Sequence, residues 1–139
     1  MYSLTIVTPE KRLVAGEDIE EVFVPGYRGE LNVLPGHAPL LTTLGTGVVR
    51  YRLKGQNQLQ YVAVSGGYCQ VQPQGVSVLA EIAERAEDIN VAMAQQTLKD
   101  IENRLATEAL EPDEIKKLQE ELARTRARIE AASQGGGKA

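Results

Sequence analysis

The chain has one histidine, His37, and one cysteine, Cys69, so any acid–base or nucleophilic chemistry has few residues to draw on. His37 lies in Leu34-Pro35-Gly36-His37-Ala38-Pro39. A catalytic imidazole needs a nucleophile and an orienting group beside it, and the surrounding proline and glycine read instead as a rigid loop. Cys69 sits in Tyr68-Cys69-Gln70-Val71 without an adjacent base to favour thiolate, which reads as a buried strand cysteine. Metal sites built from several Cys and His ligands are excluded by these counts. The carboxylates Glu81, Glu84, Glu87 and Asp88 cluster ahead of a helical pattern, where such groups are solvated or capping rather than catalytic. Gly45-Thr46-Gly47 and Gly66-Gly67 are not followed by the Lys-Ser/Thr of a phosphate loop, and read as bends or close backbone approaches.

Cations offer a different chemistry. Arg124 and Arg128 lie one helical turn apart, with Lys117 two turns earlier on the same face, and Arg126 stands between the two arginines. Such a face is either solvated charge or a docking surface for acidic groups, to which the guanidinium fork is suited. Nucleic acid is an unpromising partner: 15 Lys and Arg stand against 19 Asp and Glu, giving a net charge of -4. No aromatic residue follows Tyr68, so nothing in the second half stacks on bases. No apolar run approaches the roughly 18 residues of a membrane span. The start, Met1-Tyr2-Ser3-Leu4-Thr5, has neither the basic nor the apolar region of a signal peptide. A soluble intracellular protein with little catalytic equipment is expected.

The elements that position these residues fall into two halves. Ten glycines and five prolines precede residue 87; from there to Ser133 the chain has one proline and no glycine. In the first half the apolar residues alternate, as in Val49, Tyr51 and Leu53 against Arg50, Arg52 and Lys54. Leu4 and Ile6, Val22 and Val24, and Val76, Val78 and Ala80 keep the same period, and Lys54-Gly55-Gln56-Asn57 reads as a hairpin loop. Residues 1–87 are therefore expected to form a β-sandwich or small barrel of short, mainly antiparallel strands, the sandwich preferred. The second half steps by three and four: Val91, Ala94, Leu98, Ile101 and Leu105, then Ile115, Leu118, Leu122, Thr125 and Ile129. Asp88 or Asn90 suits a helix cap, and Pro112 the first turn of a second helix. Residues 88–133 thus predict an antiparallel two-helix hairpin, giving a β + α fold, and residues 134–139 a disordered tail. The helical seam is narrow, interrupted by Thr125 and thinned by Ala94, so the hairpin is expected to dock on the sandwich or on a partner and to exchange one for the other.

A β domain followed by a helical hairpin, with Gly29-Glu30-Leu31-Asn32-Val33-Leu34-Pro35-Gly36-His37-Ala38-Pro39-Leu40-Leu41, resembles the epsilon subunit of bacterial and chloroplast F-type ATP synthases. Val7-Thr8-Pro9 with Glu20-Glu21-Val22, Ser65-Gly66-Gly67 with Val76-Ser77-Val78-Leu79-Ala80, and Leu122-Ala123-Arg124-Thr125-Arg126-Ala127-Arg128 extend the likeness over essentially the whole chain. The Pro-Gly-His-Ala-Pro-Leu-Leu run is the specific element. The resemblance implies a non-catalytic subunit of the central rotor stalk, seated against the gamma subunit and the ring of c subunits and coupling proton flow to ATP synthesis. It places Glu30 on the ring-facing edge and His37, Ala38, Pro39, Leu40 and Leu41 at the rotor interface. It implies helices that swing from a compact to an extended pose, entering the alpha/beta catalytic hexamer and restraining ATP hydrolysis. Lys117, Arg124 and Arg128 would then meet acidic groups. The implied location is the cytoplasmic face of a bacterial inner membrane, ahead of a thylakoid, with membrane contact only through the complex.

One segment departs from the family. Some members bind ATP through Ile/Leu-Asp-x-x-Arg-Ala at the first helix, whereas this chain has Ile89-Asn90-Val91-Ala92-Met93-Ala94. Asn90 replaces the carboxylate and Met93 the arginine, so no cofactor and weak or absent ATP binding are expected. On the residues alone a rival stands, a free regulatory module whose hairpin closes over a small ligand, and a hydrolytic enzyme comes a distant third.

Overall fold

A computed structural model describes residues 2–135. Seven strands precede two helices: β1 Ser3–Val7, β2 Arg12–Gly26, β3 Gly29–Val33, β4 Leu40–Thr43, β5 Gly47–Leu53, β6 Leu59–Gln72 and β7 Gly75–Arg85, then α1 Val91–Thr107 and α2 Pro112–Gly135. A 3-10 turn, Ala86–Asp88, joins the two parts. The strands run in the order β1-β7-β6-β5-β2-β3; β1 also pairs with β2, closing a ring, and β4 adds to β6. Every pairing is antiparallel except β1 with β7.

The strands are not all short. β2, β6 and β7 have 15, 14 and 11 residues, and each serves both layers of the sandwich. The first half of β2 pairs with β1, and its second half with β3 and β5. The first half of β6 pairs with β5 and its second half with β4, while β7 accompanies it throughout. A strand can change layers only where it bends. Gly16, at φ 62°, sits where the β1–β2 register slips, and Gly66 and Gly67, at φ 74° and 101°, sit where Gly66 and Glu81 drop out of the β6–β7 register. These left-handed conformations suit glycine, and the break in the ladder at each place lets the ribbon bend. Because such bends carry turn residues, each half of a bent strand reads in the sequence as a separate short one.

The alternating residues face inward as expected. Leu4, Ile6, Val22, Val24, Val49, Tyr51, Val76, Val78 and Ala80 join one core that lies wholly within residues 2–83. Gln56 N–H bonds back to the Leu53 carbonyl at 3.0 Å, closing the β5–β6 turn over Gly55. A second apolar cluster lies outside the sandwich, where Val48, Ala63, Ala86 and Ile89 meet Ala127, Ala131 and Ala132 of α2, flanked by Tyr61 and Val91. The hairpin therefore lies folded back, with α2 resting on β5 and β6 and α1 packed on α2. Buried Ala94 and Ile101 of α1 face the α2 seam at buried Leu118 and Thr125. The Thr125 hydroxyl donates to the Glu121 carbonyl at 2.8 Å, which lets a polar residue sit in that seam without an unpaired group. α2 runs through Gln134 and Gly135, two residues past the boundary expected at 133; residues 136–139 of the expected tail lie outside the described residues.

Candidate functional site

The loop at 34–39 holds His37 by its own backbone. His37 Nδ1 lies 2.7 Å from the Ala38 carbonyl oxygen, which only accepts, so the ring donates there. Gly36 N–H reaches the Pro73 carbonyl at 3.3 Å, tying the loop to the β6–β7 turn. The imidazole thus serves loop geometry, as its proline and glycine surroundings suggest. Cys69 is fully buried between Thr42 of β4 and Val78 of β7. Burial pushes its thiol up to about 11 from an ordinary value of 9.0. Two expectations follow. A disulfide reagent at pH 8 labels the native chain at the slow rate of unfolding, and the denatured chain at once. Stability also falls as pH rises from about 9 towards 11, because the unfolded thiol loses its proton first. Fast labelling of the native chain at pH 8 contradicts this placement.

The acidic residues separate into individual roles. Glu84 accepts from Arg128, Asp88 lies 4.0 Å from Arg85, and the Glu81 side chain lies over Gly66. They do not converge on a common point. Asn90 caps α1, its side chain accepting from Met93 N–H at 3.1 Å. Met93 itself is exposed. Asn90 thus serves as a cap, and position 93 offers no charge.

The residues expected at the rotor interface divide between two places. Ala38 and Pro39 lead into β4, where Leu40 sits at the rim opposite buried Val71 and Leu41 points outward, 69% exposed. The register brings Leu41 opposite Gln70, Thr43 opposite Tyr68, and Tyr68 opposite Leu79. Leu41, Tyr68 and Leu79 therefore share one outer face, the latter two 56% and 46% exposed. Tyr68 and Leu79 were not among the interface residues expected, since only the register reveals that Tyr68 lies diagonally across from Leu41, with Leu79 beyond it. Glu30 belongs to the other layer. It bridges β3 to β5 through Arg50 at 2.7 Å, and Arg50 stacks over Phe23 with its guanidinium 4.5 Å from the ring centre.

The basic face of α2 is also divided. Arg128 Nε donates to Glu84 Oε1 of β7 at 2.7 Å, with both side chains about two-thirds covered. Arg124 is half-buried on the same groove, beside Ser65 and Ile82. Lys117 is exposed, and neither Lys117 nor Arg124 makes an ion pair among the described residues. Arg126 turns to the first helix and meets Glu102 at 3.6 Å. The common face read from the sequence is thus partly folded against the sandwich.

Residues 1–86 match the family described as ATP synthase, Delta/Epsilon chain, beta-sandwich domain. Among its relatives is the ATP synthase epsilon chain of Bdellovibrio bacteriovorus, 47% identical over 131 residues, which cover 94% of this chain and 94% of that one. That of Nitratidesulfovibrio vulgaris is 43% identical over 128 residues, 90% of this chain and 93% of the other. In the solved structure of the Euglena gracilis mitochondrial ATP synthase, OSCP/F1/c-ring, one chain has the same fold, with a TM-score of 0.76 at 22% identity, over 95% of this chain and 81% of that one.

Proposed function

This chain belongs to the ATP synthase delta/epsilon chain family, and on that premise we infer that it is a non-catalytic subunit of the complex, working in the central rotor stalk. The observation that carries the reading further is the arrangement of the sandwich. Its core is complete within residues 2–83, yet Leu41, Tyr68 and Leu79 stand exposed side by side on one outer face, and the other layer carries the hairpin. Adjacent exposed apolar side chains on a rigid sheet suit a permanent partner. A closed two-layer sheet also resists shear, as an element passing torque must.

In this proposal the face of Leu41, Tyr68 and Leu79, with His37, Ala38, Pro39 and Leu40 at its edge, seats the gamma subunit. Glu30, held by Arg50, borders the c-ring. When the hairpin leaves the sandwich, Lys117, Arg124 and Arg128 meet acidic groups of the alpha/beta hexamer and slow ATP hydrolysis. The complex is membrane-associated; we place this subunit on the cytoplasmic face of a bacterial inner membrane, with the thylakoid the lesser choice. Among the described residues no helix is long and apolar enough to cross a membrane, which fits attachment through the complex.

The test is to add the chain back to the cognate complex stripped of it and to follow ATP-driven proton pumping. The native chain restores coupling, and a Leu41→Asp, Tyr68→Asp double variant that folds normally fails to bind. Binding of that variant at native strength overturns the assignment of the face. A separate expectation concerns nucleotide. With Met93 exposed and uncharged where ATP-binding members carry arginine, calorimetry with ATP shows no micromolar association. A micromolar Kd contradicts it.

A further inference from the structure

The contacts that hold α2 to the sandwich are unequal in kind. Most are methyl groups: Ala127, Ala131 and Ala132 against Val48, Ala63 and Ala86. Small side chains bring the helix close but remove little apolar surface from water. Against that background one polar contact stands out. Among the described residues, Arg128 with Glu84 is the only ion pair, and the only side-chain hydrogen bond, that joins hairpin to sandwich. Arg126 with Glu102 and Arg104 with Glu108 lie within the hairpin and travel with it, and the pairs of Arg50, Arg52 and Arg85 belong to the β part and the turn that follows it. At 2.7 Å, with 33% and 28% of the two side chains exposed, the bond is charge-assisted and partly shielded from salt.

We propose that Glu84 and Arg128 form an electrostatic latch that retains the hairpin in its folded-back pose. This rests on the reading above, in which Arg128 is one of the cations the hexamer engages. One guanidinium cannot serve both surfaces at once, so Glu84 occupies in the compact pose the group that an acidic partner surface takes in the extended one. The sandwich carboxylate then competes directly with the hexamer, and its loss favours engagement. A pair of this exposure shifts the ratio of docked to undocked hairpin by about two- to fivefold. In a two-state element near balance, such a shift is visible.

The test uses the full chain, free and in the reconstituted complex, with a fluorescent donor and acceptor on cysteines introduced at Gln56 and Glu108. Cys69 is buried and stays unlabelled. Glu84→Gln lowers the ratio of docked to undocked hairpin about two- to fivefold and flattens its dependence on salt. Arg128→Glu undocks the hairpin as well, and the swap Glu84→Arg with Arg128→Glu restores docking, which assigns the effect to the pair, while an unchanged main unfolding transition shows that each single variant folds. A docked fraction and salt response unchanged in Glu84→Gln overturn the latch. ATP hydrolysis by the same complexes tests the underlying reading separately. Glu84→Gln deepens inhibition, whereas Arg128→Glu relieves it although its hairpin is free. Undocking with no change in hydrolysis keeps the latch and overturns the brake.

Discussion

Gly67→Ala lowers the stability of the sandwich by about 3 kcal/mol or more, a large part of the roughly 5–15 kcal/mol available to a domain. Gly67 has φ 101°, a conformation that side chains rarely adopt. A Cβ there overlaps the Leu79 carbonyl oxygen and lies 3.0 Å from its carbon and 3.1 Å from Ala80 Cα. All three atoms are backbone of the paired strand, so no rotamer relieves the overlap and β6 must part from β7. That pair runs through both layers, which leaves the bend nowhere else to form. Gly55→Ala is the internal control. Its φ is 81°, but nothing lies within 4 Å of the added carbon, so it costs only the conformational preference, about 1–2 kcal/mol. Urea midpoints of the two variants give the comparison. Equal losses would mean that the close approach of β6 to β7 contributes nothing.

Ala131→Leu has the largest expected effect on the pose of the molecule. Ala131 is fully buried in the seam between α2 and the sandwich, close to Ile89, Ala86 and Ala63. Three added carbons overpack that seam by about 1–3 kcal/mol. The alanines across it supply only about 0.8 kcal/mol per buried methyl, so the wedge cancels much of what holds the helix down. The hairpin leaves, while the core within residues 2–83 keeps its packing. Small-angle scattering should show a larger radius for the variant, with the main unfolding transition in place. An unchanged radius would contradict an alanine-lined, weakly held interface.

The same seam shows why part of the molecule was legible in the sequence and part was not. Alternation announced Val49 and Tyr51 as core and Arg50 and Arg52 as surface, and the helices start at the cap Asn90 and at Pro112, as expected. The docking surface was hidden because its helical side is alanine, which reads as a helix former and not as a stripe. Its signal was on the strands. Val48-Val49 and Val62-Ala63-Val64 break strict alternation, and consecutive apolar residues on a strand require both faces to be covered. The partnership of Glu84 with Arg128 spans 44 residues and has no period to betray it. Nor does the face of Leu41, Tyr68 and Leu79, whose members come from three strands and meet only through register. Glycine carried more information than it gave up at first sight. Gly66-Gly67 reads as a bend or a close backbone approach, and it is both, within a strand that continues through it.

The most direct test of the division of labour between sandwich and hairpin is ATP hydrolysis by the cognate complex, stripped of this subunit and reconstituted with the full chain or with a chain ending at Glu87. The shorter chain keeps the entire principal core, so it should fold and take its place in the stalk. Both chains should restore coupling, and only the full chain should slow hydrolysis. Equal rates with both would contradict a braking hairpin, and failure of the folded shorter chain to bind would contradict a stalk role carried by the sandwich.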